Sequence, residues 1–348
     1  MSTVTLPAPR ETNAAIRPLP WHRMLWVTWR QHRLGLAGVG ALLGVLTLYV
    51  SLAGRQLHQA FAAAIACHPA SSIACAELTR RFNDLNLHLA NGFVWQPLPP
   101  LIGAFIGAPL LARELETGTF RYAWTQGFGR WRWVLGKLML LALALVVATA
   151  AFSVVLSWYY RPYFAAGKQT AFFSQVSPLT AGLFDLRGAA FAAWTLAAFA
   201  IGALAGMLIG RVIPAIVVTL ASYAVLALGA GMFLRRHYMA PLITTRPNLS
   251  ATALVVSQWW TKGTGFAFRG LPPMNLIQQF CPPSAVGAGK PSPGTLAQCL
   301  SRHGYTQWSS YQPASRFWAY QSIEGAWLLA LSALLIGTTV WLAHRRAS

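Results

Sequence analysis

Two carboxylates stand two residues apart in the stretch ARELETGTFRYAWTQGFGRWRW, positions 112–133, of a chain with only seven acidic residues against 27 Lys and Arg. Such a pair could do acid/base chemistry. Glu114 and Glu116, however, would point to different sides of a helix, and neither a partner base nor a metal ligand accompanies them. Other chemistries fare no better. The fragment GAGKP at 287–291 lacks the first Gly of a phosphate-binding loop and ends in Pro where that loop needs Ser or Thr. HExxH, Cys-x-x-Cys and GxSxG are all absent. His22, His32, His58, His68, His88, His237, His303 and His344 are scattered, mostly in loops or beside Arg, and read as interfacial residues rather than metal ligands. The residues thus point to no catalytic group, metal or cofactor, and the chain is expected not to be an enzyme.

A docking surface suits the acidic pair better. A short charged helix, bounded by Gly118 and by Trp and Arg at headgroup level, would lie along a membrane with one face open to a soluble partner. An interfacial helix with no partner is the plainer alternative. The segment WHRMLWVTWRQHR at 21–33 is similar in kind and reads as an amphipathic helix leading into the chain's first apolar run. The first 20 residues have no apolar core of a signal peptide and read as a disordered cytoplasmic tail.

The elements that must position these residues are membrane spans. With 55% hydrophobic and 10% charged residues, the 348-residue chain falls outside the soluble class. Runs long enough to cross a bilayer, which takes roughly 20 apolar residues, lie near 34–54, 93–112, 134–158, 188–210, 212–234 and 324–343. The fold class expected is all-α integral membrane with six spans over 34–343 and a large extracytoplasmic loop, 235–323. Pro97, Pro99 and Pro100 weaken the second run. Gly210, Arg211 and the approach to Pro214 must make a tight turn for the fourth and fifth to be separate spans.

Orientation follows from Lys and Arg in the short connections. One side carries twelve, thirteen with Lys137, and the other six, which places both termini in the cytoplasm. All four cysteines then fall outside, in an oxidising compartment. They allow three pairings. Local pairs, Cys67 with Cys75 and Cys281 with Cys299, are favoured; closing loops of about 9 and 19 residues would stabilise each segment by roughly 2.5–3 kcal/mol. Four unrelated thiols are the alternative.

No span carries a charge at its centre: Lys137 sits near a cytoplasmic end and can snorkel, while Asp185, Arg187 and Glu324 lie at outer ends. No ion-coupling site and no convergent polar cluster is therefore expected. Glycines recur every four residues instead: Gly40 and Gly44 in the first span, Gly103 and Gly107 in the second, Gly202, Gly206 and Gly210 in the fourth. Such faces let helices pack closely, within one bundle or, alternatively, at a moving gate or dimer seam.

Taken with MLWVTWRQHR at 24–33, APLLARELETGTFRYAWTQG at 108–127, RVIPAIVVTL at 211–220 and YQPASRFWAYQSIEG at 311–325, the chain resembles actinobacterial permease subunits of the type-2 ABC exporter (ABC-2-like) superfamily. The resemblance implies six spans per subunit, a dimer with a second copy or a paralogue, and a separate ATP-binding subunit on the cytoplasmic side. It also implies that an acidic residue after the second span, followed by Gly-Thr, belongs to a coupling helix seated in a groove of the ATPase. Glu114, Glu116, Gly118 and Thr119 occupy those places, with Arg113 and Arg121 beside them. At the turn between the fourth and fifth spans, relatives tend to have paired basic residues where this chain has Gly210 and Arg211. The function implied is export of an amphipathic small molecule, peptide or lipid across the cell membrane, with no nucleic-acid partner. The alternative is a membrane-anchored sensor or assembly protein with disulfide-tied outer loops and no transport.

Overall fold

The computed structural model describes residues 21–345 apart from 70–71, 91–93, 119–129, 170–176, 247–248, 251 and 282–292. The tail 1–20, Thr119 and Arg121 lie outside these residues. In chain order the helices are α1 (Trp21–Ala66), α2 (Ile73–Ala90), α3 (Leu98–Glu116), α4 (Arg130–Tyr159), α5 (Arg161–Gln169), α6 (Ala189–Ile209), α7 (Val212–Gly229), α8 (Met274–Phe280), α9 (Pro293–Ser301) and α10 (Phe317–Arg345). Six of them, α1, α3, α4, α6, α7 and α10, are long and apolar enough to cross a membrane, so the chain is a multi-pass membrane protein.

At 46 residues α1 is roughly 69 Å long, more than twice the hydrocarbon thickness. The segment 21–33, expected as an interfacial helix leading into the first span, forms the first turns of α1. The far end of α1 turns back into α2 through the disulfide Cys67–Cys75, whose Cα atoms lie 5.6 Å apart.

The prolines expected to weaken the second span instead start it. Pro99 and Pro100 fall in the first turn of α3, where the missing N–H groups have no intrahelical partner to lose. The helix therefore runs over 98–116 rather than 93–112, and Arg113–Glu116 form its last turn. Any separate helix between α3 and α4 would fall at 119–129, outside the described residues.

Around α6 the rest of the bundle assembles. This helix is apolar on all sides, as a helix surrounded by others must be, and its buried residues run almost unbroken from Ala190 to Met207. Its closest neighbour is α3. A Cβ on Gly202 would come within 2.9 Å of the Ala108 nitrogen, one on Gly103 within 2.6 Å of the Phe199 nitrogen, and those of Gly107 and Gly206 would strike the carbonyl oxygens of Phe199 and Ala108. Glycine spacing here sets a backbone-to-backbone approach. Gly40 and Gly44 of α1, with the same spacing, have nothing among the described residues within 4 Å of the corresponding positions.

Gly210 ends α6 in the left-handed conformation (φ 66°), its N–H bonded to the Gly206 carbonyl. Pro214 follows inside the first turn of α7, the only part of a helix that accepts it without loss. Together they make the tight turn that two separate spans require. At its other end α7 passes into a π-helical turn, Ala230–Leu234, and a last α turn, Arg235–His237.

The segment 235–323 contains a folded unit, and the all-α expectation is corrected here to mostly helical. Strands β1 (Leu242–Thr244), β2 (Leu254–Lys262), β3 (Gly265–Arg269) and β4 (Tyr305–Gln312) form an antiparallel sheet in the order β1-β4-β2-β3. Gly263 (φ 59°) is the first of the two residues between β2 and β3, where a tight hairpin needs positive φ. Trp260 and Tyr305 pack on α8 and α9, which the disulfide Cys281–Cys299 ties together (Cα–Cα 6.0 Å). The end of β4 is tied to the residues that follow the last α7 turn: Gln312 Nε2 donates to the Met239 carbonyl at 2.9 Å, and Arg316 donates to the Ala240 carbonyl at 2.6 Å.

Candidate functional site

Six spans in series place the α3–α4 connection, the α6–α7 turn and both described chain ends at one end of the bundle, the termini end. The α1–α2 hairpin, the segment before α6 and the sheet lie at the other, the sheet end.

At the termini end, each acid of the 113–119 stretch is engaged inside the chain. Glu114 forms an ion pair and hydrogen bond with Lys137 of α4, whose side chain is fully buried and lies with its ammonium 4.3 Å from the centre of the Trp133 ring. Lys137 thus turns inward rather than snorkelling outward. Glu116, on the exposed side, accepts a 3.3 Å hydrogen bond from the Val212 N–H, one of the free donors at the start of α7. A carboxylate at that terminus also suits the helix dipole. Thr117 caps the Arg113 carbonyl through its hydroxyl (2.7 Å), Arg113 is itself exposed, and Gly118 (φ 71°) ends the helix in the left-handed conformation. The last turn of α3 is therefore bolted to α4 by one acid and to the α6–α7 turn by the other. Leu115, between them, touches the turn itself, 3.7 Å from where a Cβ of Gly210 would stand.

At the sheet end lies a cluster that contradicts the expectation of no convergent polar group. Arg235, 5% exposed, grips the fully buried Glu324 of α10 with two donors: Nε to Oε2 at 3.1 Å and Nη2 to Oε1 at 2.8 Å. Its Nη2 also pairs with Asp185. Glu324 accepts two further bonds, from Trp194 Nε1 of α6 (2.8 Å) and from the Tyr238 hydroxyl (3.2 Å), which in turn accepts from Trp327 Nε1 at 2.7 Å. The π turn sets this register: its extra residue per turn rotates Arg235 relative to a regular continuation of α7. One guanidinium faces two carboxylates here. Burial pushes the Asp185 carboxyl up; Arg235 opposes that shift and the Glu324 charge adds to it. The cluster ties α6, α7 and α10 to one another and to the segment before α6.

Sequence reasoning missed the cluster because its bonded partners lie far apart in the chain, Arg235 and Asp185 by 50 residues and Trp194 and Glu324 by 130. A signal was nevertheless present. With seven acids in the chain, two at the ends of apolar runs, Asp185 and Glu324, each need a cation at the same depth, and Arg235 closes the fifth run at that end. Among the described residues no group of three His, Cys, Asp or Glu could hold a metal ion.

The architecture is that of a polytopic helical bundle with a folded unit between its last two spans. The chain belongs to the family described as ABC-2 membrane transporter related, whose model matches residues 40–235. That match runs from within α1 to Arg235 and leaves out the sheet and α10, so the ion cluster joins matched to unmatched segments. No curated protein and no solved structure matches the chain.

Proposed function

We propose that the chain is the membrane-spanning permease subunit of an ATP-driven transporter, working as a dimer with a second copy or a paralogue and powered by a separate ATP-binding subunit. Family membership supports this reading, since permeases of the ABC-2 family usually pair with an ATP-binding subunit. The charge asymmetry of the connections supports a cytoplasmic termini end. ATP hydrolysis belongs to the partner, as the chain carries no phosphate-binding loop. The substrate class is amphipathic, moved outward across the cell membrane, because the spans are apolar and rich in aromatic residues.

The observation that carries the mechanism is the double attachment of the last turn of α3. A partner pressing on the 113–133 connection would move α4 through Glu114–Lys137 and α7 through Glu116–Val212. Coupling here is mechanical, through rigid helices joined by one ion pair and one hydrogen bond, rather than through a free acidic surface on Glu114. The residues assigned to it are Arg113, Glu114, Glu116, Gly118, Thr119 and Arg121, with Lys137 added from the structure.

The test separates structure from coupling. Glu116→Gln keeps an oxygen to accept from Val212 but removes the charge. The pair Glu114→Met with Lys137→Met removes both buried charges together, avoiding the stranded Lys137 cation that Glu114→Ala alone would leave. In vesicles containing the permease and its ATPase, the triple variant should fold and still lose roughly ten-fold in permease-stimulated ATP hydrolysis, within the usual range of coupling energies. Unchanged stimulation would refute the site.

A further inference from the structure

At the sheet end, where α1 emerges beyond the membrane, a cavity of about 330 Å³ opens between α1, α5 and the segment before α6. Two guanidinium groups line it, Arg161 and Arg187, together with His58, Phe61 and Phe164, and no acidic residue does so among the described residues. Arg187 is unusual among the described residues. Its Nε and Nη1 atoms are shielded from solvent and make no hydrogen bond. Its guanidinium lies between two rings, 4.3 Å from the centre of Phe164 and 5.0 Å from that of Phe317. Rings stabilise the cation through its faces but leave the edge donors unanswered, and shielded donors without a partner are costly. Burial accordingly pushes the Arg187 guanidinium down to about 10.

The backbone presenting Arg187 is fixed on both sides. Ser153 of α4 donates to the Gly188 carbonyl at 2.9 Å, and Gln321 of α10 donates to the Phe184 carbonyl at 3.0 Å while accepting from the Ala190 N–H at 2.8 Å. Gly188 takes φ 65°, and a Cβ there would sit 2.9 Å from the Gln321 oxygen. His58 is set as well: its Nε2 bonds the Trp158 carbonyl at 3.1 Å and its ring stacks on Trp158 at 4.6 Å. A partly buried guanidinium with two unanswered donors, held on a rigid frame beside the exposed Arg161, suits an anion whose planar or tetrahedral oxygens can meet a guanidinium fork.

We propose that this cavity binds a phosphate-bearing anionic headgroup, its oxygens on Arg187 and Arg161 and its apolar portion against Phe61 and Phe164. The volume lies at the lower end of the range for ligand sites, about 300–1,000 Å³, which admits a headgroup and leaves any acyl chains outside. The site stands apart from the coupling assignment and goes beyond it. Its chemistry is shared by an anionic phospholipid and by free phosphate, and the experiment separates them.

The full chain, purified and delipidated in detergent, would be titrated by native mass spectrometry with phosphatidylglycerol, phosphatidylcholine and inorganic phosphate as the probes. One phosphatidylglycerol should bind at least about ten-fold more tightly than phosphatidylcholine, and R161Q/R187Q should lose about ten-fold or more of that affinity. Binding of inorganic phosphate, lost in the double variant and with no preference for phosphatidylglycerol, would assign the site to free phosphate. R161Q alone, whose side chain is exposed in the wild type, covers the case in which R187Q disturbs the fold, and it too should weaken binding. Equal affinity in wild type and R161Q, or no binding of either anionic probe, would overturn the proposal.

Discussion

Glu324→Ala should abolish a stably folded bundle. It removes the acceptor of four hydrogen bonds and leaves Arg235 buried opposite Asp185 alone, with the Trp194 and Tyr238 donors unanswered. Breaking a buried ion pair from one side costs about 3–5 kcal/mol, a large fraction of the 5–15 kcal/mol that holds a typical domain. The measurement is the thermal midpoint of detergent-purified protein, followed by size-exclusion profile. The variant should elute largely aggregated or lose well over ten degrees. Adding Arg235→Leu and Asp185→Asn to Glu324→Leu should recover most of the loss, because no buried charge is then stranded. A single variant as stable as wild type would show that the cluster does not join the three spans.

Gly107→Leu should be comparably damaging, through packing rather than charge. The added side chain would begin on the carbonyl oxygen of Phe199, and the obstacle is backbone, which cannot rotate away. Overpacking usually costs about 1–3 kcal/mol and more where nothing yields; here α3 and α6 would have to separate. Gly44→Ala supplies the contrast. Its Cβ meets nothing within 4 Å, and replacing Gly by Ala inside a helix gains up to about 1 kcal/mol of helix propensity. Yield and thermal midpoint should therefore fall sharply for Gly107→Leu and hold or rise for Gly44→Ala. Equal behaviour of the two would mean that the α3–α6 approach is not as close as described.

This pair of glycine motifs also shows how far the sequence reaches. A four-residue glycine repeat is visible at 40–44 and at 103–107 alike, yet among the described residues only the second meets a facing helix, because the helix opposite it is set by three-dimensional packing. The number of spans was legible from apolar length alone, and the turn at Gly210 and Pro214 from the backbone rules of those two residues. Pro99 and Pro100 misled, since the same residues that break a helix interior begin a helix well.

Between β2 and β3 the signal was present and went unread. Residues 254–269, LVVSQWWTKGTGFAFR, are β-branched and aromatic on either side of a Gly-rich turn, as a hairpin requires. Counting the whole segment as a connection hid it. The ion pairs were only partly legible, for a different reason. Glu114 and Lys137 stand 23 residues apart, Arg235 and Glu324 89, and no local periodicity links residues on different helices. The sequence placed the acids at the ends of apolar runs; which cation each one meets is decided only when the runs pack.

The central claim is that this chain delivers the force of a separate ATPase to a membrane bundle. It is tested most directly by purifying the full chain from its own membranes after cross-linking and identifying what is joined to the 113–133 connection. A nucleotide-binding protein with a phosphate-binding loop, cross-linked there and bringing vanadate-sensitive ATP hydrolysis into the preparation, is the result expected. A folded, monodisperse chain with no such protein attached and no ATP hydrolysis would contradict it.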